Sequence, residues 1–202
     1  MNSILNSPYF LWALLALPAI PMTAGLLSGA EAEQLLHPTG EFAARFMILA
    51  MVISPFRLMF PENRFWLWMM RRRRYVGVAA FCFAFSHTVL YVIDMGSLNK
   101  VLGEVLLLGI WTGWLAMLIF IPLFLTSNDW SVRKLGRKWK RLQQAVYIAA
   151  VATLIHWIFV HNNIGPALVH FIPLALLECY RIWKSKSLGP LTRAADGRTQ
   201  KL

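Results

Sequence analysis

Five histidines stand in this chain of 202 residues, His37, His87, His156, His161 and His170. His87, His156 and His170 fall inside long apolar stretches, whereas His37 and His161 sit at stretch ends. An ionisable side chain at membrane depth is costly and marks a functional position by default. A neutral imidazole offers one nitrogen to a metal while the other donates a hydrogen bond. It can also simply bond a carbonyl and pack two helices together. His87 lies 13 residues beyond Arg74, and His156 lies 15 beyond Arg141. At ~1.5 Å per residue they rise about 20 Å and about 22 Å from the basic ends of their helices. Two imidazoles at one depth on different helices suit a six-coordinate haem, which takes one nitrogen on each face. His170, about 16 Å from Arg181 on the same scale, is an alternative ligand or a partner of the haem carboxylates. Phe81, Phe83, Phe85, Trp157 and Phe159 neighbour the pair in sequence and would suit a porphyrin.

The elements that must carry these histidines are membrane helices. Crossing the hydrocarbon core takes about 20 apolar residues. Six stretches qualify: 9–28, 42–60, 75–94, 102–125, 143–160 and 165–183. None alternates polar with apolar residues, so helices rather than a barrel are expected. The fold expected is an all-α integral membrane bundle of six spans forming one domain over residues 1–202. The first stretch is read as a helix and not a signal peptide. Ala30 and Ala32 mimic a cleavage site, but no Lys or Arg precedes the run and the run is too long.

Composition agrees. Hydrophobic residues make up 58% of the chain and charged residues 14%, against about 25% charged in a soluble domain. A disordered or water-soluble chain is excluded on these figures. Two cysteines, Cys82 and Cys179, cannot build a disulfide scaffold or a cysteine-rich zinc site. The net charge of +11 is a matter of topology rather than nucleic-acid binding. Basic residues crowd into 61–74, 126–142 and the segment from Arg181 onward, while the opposite side holds Lys100 and Arg45. The positive-inside rule then places both termini in the cytoplasm. The basic side meets anionic lipid. Trp66, Trp68, Trp130, Trp139 and Trp183 flank the basic loops as an aromatic belt.

The remaining segments are short outer loops at 29–41, 95–101 and 161–164, and a polar, mobile basic tail over 184–202. Leu135, Trp139 and Leu142 recur at helical spacing among the basic residues of 126–142, which predicts an amphipathic helix on the inner leaflet. Glu41 and Arg45, four apart, predict a local ion pair. Asp94, Glu104 and Glu178 read as interfacial charges, with Glu178 free to pair with Arg181. No glycine-rich dinucleotide motif is present, so electrons would come from another molecule. Arg73 falls 14 residues before His87, close to four turns, on the same helix face. Arg73 or Arg74 could hold a propionate or a flavin phosphate.

An ordered set of motifs resembles the MsrQ/YedZ family, in the ferric-reductase-like transmembrane group. The resemblance runs from His37 to Trp183. His37-Pro38-Thr39-Gly40 looks like the family's H-x-T-G, and Ser54-Pro55-Phe56-Arg57 like its T-P-L-R. Arg73-Arg74-Tyr75-Val76-Gly77, Phe81, His87, Tyr91 and Asp94 follow its next block. Thr126-Ser127, Arg133-Lys134-Leu135-Gly136, Trp139, Leu142, Tyr147 and His156 follow the last one. The resemblance implies haem b held by His87 and His156. It implies electrons drawn from the quinone pool or from a cytoplasmic flavin reductase, with quinone or FMN as further cofactors. The implied acceptor is a periplasmic molybdenum-cofactor reductase that repairs oxidised methionine. Secondary contacts to haem, quinone or flavin would fall to His37, Arg73, Arg74, Gln143 and His170. The chain departs from the pattern at Gln143, where the family's W-x-x-L-H has a histidine, and it lacks the R-P-Y run before helix four. One haem is therefore expected in place of two, and a different partner is open. Two other readings stand beside the conduit: a haem-dependent ferric or oxygen reductase with a small-molecule acceptor, and a non-redox scaffold subunit.

Overall fold

The computed structural model describes residues 7–161 and 164–199. Residues 1–6, 162–163 and 200–202 lie outside it, so the expected loop at 161–164 and the end of the basic tail are covered only in part. All regular structure among the described residues is helical: α1 (Pro8–Ala16), α2 (Ala19–Leu27), α3 (Ala32–Met59), α4 (Arg64–Met95), α5 (Leu98–Glu104), α6 (Leu108–Leu125), α7 (Asp129–Leu135), α8 (Arg137–Gln143), α9 (Val146–His161) and α10 (Ile164–Thr199). Among the described residues four segments are long and apolar enough to cross a membrane: α3, α4, α6 and Arg137–His161. The bent pair α1–α2 makes a fifth if taken as one span.

Several boundaries differ from those read off the sequence, each for a local reason. The stretch 9–28 is two helices meeting at 54°. Pro18 stands at their junction, where its ring crowds the preceding turn and its missing N–H interrupts the ladder. The stretch 102–125 is likewise divided, because Leu107 is extended (φ −63°, ψ 132°) and α6 starts only at Leu108. The amphipathic helix expected over 126–142 does not form as one piece. Gly136 has φ +50°, a conformation that ends α7 and that side chains other than glycine adopt at a cost. Leu135 and Trp139 are thus on separate helices, and the Trp139 indole Nε1 donates to the Thr126 carbonyl at 2.8 Å. The last helix runs on to Thr199, so the expected mobile tail from Lys184 is helical as far as it is described.

Helix ends follow ordinary capping. Asn63 Oδ1 accepts from the Phe65 amide at 2.9 Å at the start of α4, satisfying one of the free amides there. Gly96, at φ +65°, closes α4 in the left-handed conformation. With 32 residues α4 is ~48 Å long, which exceeds the ~30 Å hydrocarbon core. Its basic turns at Arg71–Arg74 therefore lie near one membrane surface.

The bundle is built around α3, which packs most extensively on α4 and also meets α10, while α6 packs on α9. Buried Ala44, Ala80, Ala149, Ala150 and Ala167 let the helices approach closely. Met47, Met51, Phe120, Trp157, Phe171 and Leu174 fill the space between them. The outer surface is apolar. Leu118 and Leu125 are each 62% exposed, Val169 71% and Leu176 66%. Side chains of this kind would be a liability in water and are at home in lipid.

On the basic side an Arg74 guanidinium nitrogen donates to Asp129 Oδ1 at 2.5 Å, tying α4 to α7. That hydrogen bond, with the charge behind it, holds the Asp129 carboxyl below the usual aspartate value. A depressed carboxylate contributes stability above its unfolded pKa and loses it as pH falls through the folded one. Asp129 is fully exposed, so solvent screens the pair. Asp129→Asn should leave the thermal midpoint unchanged, whereas Arg74→Gln should move the Asp129 titration, followed by NMR, up to the ordinary aspartate range.

Candidate functional site

Two of the cavities among the described residues bear on the site. The first has a volume of about 390 Å³ and contains four of the five histidines, His37, His87, His156 and His161. The second, about 570 Å³, is lined by Arg71, Arg73, Arg74, Lys140, Gln143 and Arg181, among others. Phe120 lines both.

In the histidine cavity α4 supplies His87 and α9 supplies His156. Their ring centres are 6.0 Å apart, with the planes at 81°. Each ring docks on a neighbouring helix in the same way. His87 Nδ1 donates to the Leu36 carbonyl of α3 at 2.9 Å, and the ring covers Gly40, one turn further on. A Cβ there would lie 3.1 Å from the ring. His156 Nδ1 donates to the Gly109 carbonyl of α6 at 2.7 Å, and the ring covers Gly113, again one turn on. A Cβ there would lie 2.7 Å from Nδ1. Thr39 Oγ1 stands 3.4 Å from His87 Nδ1. The carbonyl bonds set the tautomer, leaving Nε2 of both rings with the lone pair that a metal needs.

These residues fit a bis-imidazole haem. With ring centres 6.0 Å apart, His87 and His156 would hold the iron of such a group through Nε2, and it would supply a one-electron carrier there. Gly40, Ala43, Ala44, Ala84, Gly113 and Ala116 line the cavity and keep its walls thin, as a flat macrocycle between helices requires. Among the described residues no three His, Cys, Asp or Glu side chains converge as ligands for a metal ion. A bare ion in this apolar interior would find two nitrogens, whereas a porphyrin brings four of its own.

At the end of the same cavity, His37 Nδ1 is 3.4 Å from His161 Nε2. His37 Nε2 is 3.3 Å from Glu41 Oε1, and Glu41 Oε2 is 2.9 Å from Arg45. The expected Glu41–Arg45 pair is thus present. Arg45 Nε in turn donates to His170 Nε2 at 3.4 Å, and His170 Nδ1 is 2.7 Å from the Pro166 carbonyl. His170 has both nitrogens engaged and does not line the cavity, so the geometry does not offer it as an alternative ligand. Of the aromatics expected around a porphyrin, Trp157 lines this cavity and Phe81 the other. Phe85 and Phe159 face outward, each 52% exposed, and Phe83 is buried in the core against Phe42 and Phe46.

In the arginine cavity Arg73 is anchored by the Ala50 carbonyl at 2.7 Å and by Ser54 Oγ at 3.1 Å. Gln143 Nε2 donates to the Leu123 carbonyl and to Thr126 Oγ1, both at 3.2 Å. Glu178, expected as an interfacial charge, is instead 8% exposed and pairs with Arg181 at 2.6 Å. The Tyr147 hydroxyl donates to it at 3.5 Å.

Sequence reasoning missed Gly40 and Gly113 as the seats of the two rings, and His161 as the partner of His37. The available signal was a glycine four residues after each accepting carbonyl, Leu36/Gly40 and Gly109/Gly113. Which histidine meets which glycine depends on how the helices face each other.

The fold and site together define a multi-pass helical membrane protein whose bundle brings two half-buried imidazoles from different helices to one cavity. The family described as ferric reductase like transmembrane component matches residues 39–154. The haem-binding subunit MsrQ of protein-methionine-sulfoxide reductase from Rhizobium meliloti (strain 1021) is 30% identical over 211 residues, covering 92% of each chain. Its counterpart in Agrobacterium fabrum is 33% identical over 150 residues, 72% of this chain and 67% of that one. The Brucella ovis counterpart is 34% identical over 137 residues, 66% and 60% of the two chains. No solved structure matches. The chain belongs to the MsrQ family, within the ferric-reductase-like transmembrane group, and is a multi-pass protein of the inner membrane.

Proposed function

We propose that this protein is a haem b-bearing electron conduit. It takes electrons from quinol or a reduced flavin and delivers them to a periplasmic, MsrP-like molybdenum-cofactor reductase that repairs oxidised methionine. The observation that carries the reading is the matched seating of His87 and His156, with Nδ1 of each on a carbonyl and the ring centres 6.0 Å apart. The relatives named as haem-binding subunits support it. Bound there, haem supplies a one-electron carrier within the membrane. The chain's own residues fix the two imidazoles, exclude water with Met117, Phe120 and Trp157, and keep small side chains where the plate must lie. Six spans with both termini in the cytoplasm place the arginine cavity inside and the histidine cavity outside. The basic residues of the inner cavity then face the donor, with Arg73 held ready by its two α3 contacts and Arg74 committed to Asp129.

Gln143 contributes an amide where the family pattern has an imidazole, and its NH2 is spent on α6. One haem b per chain follows. Protein purified in mild detergent should give a pyridine haemochrome stoichiometry of one; a haem-free protein would overturn the conduit. With the single haem in the outer half, a quinol should reduce it faster than soluble reduced FMN in a stopped-flow comparison. Equal rates would shift the donor assignment to flavin.

A further inference from the structure

The pair His37–His161 lies outside the ligand set just assigned, and its geometry is that of a second metal site. The two rings come from α3 and from the last residue of α9, stand nearly perpendicular at 87°, and have centres 4.7 Å apart. The nitrogens that face each other, Nδ1 of His37 and Nε2 of His161, are 3.4 Å apart. Two nitrogens bound tetrahedrally to one ion at about 2 Å each lie about 3.3 Å apart. Behind His37, Glu41 contacts the opposite ring nitrogen at 3.3 Å. A carboxylate on the far nitrogen of a metal-binding histidine fixes its tautomer and raises its basicity. Glu41 is itself fixed by Arg45. The His37 side chain is 56% exposed, so water can complete the coordination shell.

We infer that His37 Nδ1 and His161 Nε2 bind a divalent transition-metal ion of the imidazole-preferring class, Zn²⁺ or Cu²⁺, at the mouth of the histidine cavity, with Glu41 orienting His37. Imidazole suits these ions, whereas Mg²⁺ and Ca²⁺ prefer an oxygen shell. Two protein ligands plus water predict micromolar rather than tighter affinity.

The test is calorimetric titration of the oxidised, haem-loaded protein with Zn²⁺. The expected result is one saturable site per chain, weakened at least tenfold in His37→Ala and in His161→Ala, a few-fold in Glu41→Gln, and unmoved by Mg²⁺ competition. The Soret band reports whether each variant keeps its fold and haem. A saturable site that persists in both histidine variants, or no saturable site in the unmutated protein, overturns the proposal. A measurement without substitutions guards against misfolded variants. Zn²⁺ should protect both His37 and His161 from diethyl pyrocarbonate, read by peptide mass spectrometry, and protection of neither overturns the site. The haem assignment is read separately by haemochrome, so either reading can fail alone.

Discussion

Replacing His87 or His156 by alanine should leave purified protein with less than a tenth of its haem b and no Soret band, while the helical bundle persists. The asymmetry between cofactor and fold follows from what each ring does. Toward the protein, His87 makes one carbonyl bond, to Leu36, and His156 makes one, to Gly109. Losing such a bond costs about 1 kcal/mol, small beside the stability of the bundle core. Both carbonyls lie inside helices, where the amide four residues on, at Gly40 and Gly113, continues to serve them. Toward iron, each ring would supply one whole axial bond in an apolar cavity that holds no spare ligand at its centre. His170 is committed to Arg45 and Pro166, and His37 and His161 face each other at the end of the cavity. The measurement is haemochrome stoichiometry beside far-UV circular dichroism. Normal haem in both variants would remove the bis-histidine assignment. Loss in one alone would show that the other ring is not an axial ligand.

The second large effect is expected at Gly113. An alanine Cβ at this position would stand 2.7 Å from Nδ1 and 2.9 Å from Cε1 of His156, closer than side chains pack. The imidazole is rigid and cannot fold away as a flexible chain end would. It must swing off the Gly109 carbonyl, or α6 and α9 must separate. Separation is opposed by Gly109, whose own Cβ would meet Phe159 and Val160 at 3.2 Å. Overpacking of this kind costs about 1–3 kcal/mol, which corresponds to a haem affinity loss of roughly tenfold to a hundredfold. Gly40→Ala should be milder, a few-fold, because its contact with His87 is 3.1 Å. Gly103→Ala meets nothing within 4 Å and should retain haem like the unmutated chain. Haem retention during gel filtration at low concentration, compared across the three variants, gives the order. Full retention in Gly113→Ala would mean that the His156 ring does not rest on Gly113 once haem is bound.

Much of the site was legible because it depends on distances along a single helix. A fixed rise per residue turns the interval from Arg74 to His87, and from Arg141 to His156, into depth. The two rings meet as that arithmetic requires. The Glu41–Arg45 pair was legible for the same reason, since residues four apart share a helix face. Failures came where one residue's backbone overrode a pattern. Pro18 bent the first stretch, and Gly136 divided a segment whose apolar spacing read as one amphipathic helix. Aromatic neighbours in sequence misled as well, because consecutive positions on a helix point in different directions. Phe81, Phe83 and Phe85 end in three different environments.

By itself, then, the sequence determined the apolar helices, their basic ends, the depth of each histidine and the loss of an imidazole at Gln143, all of which are properties of one chain segment at a time. The tertiary structure decided which faces meet. It seated His87 on Gly40 and His156 on Gly113, brought His37 to His161 across 124 positions, and diverted His170 to Arg45. Those pairings depend on the rotation of each helix about its axis and on the approach of its neighbours. Side-chain packing across the whole bundle sets both, and no spacing within a single segment encodes them.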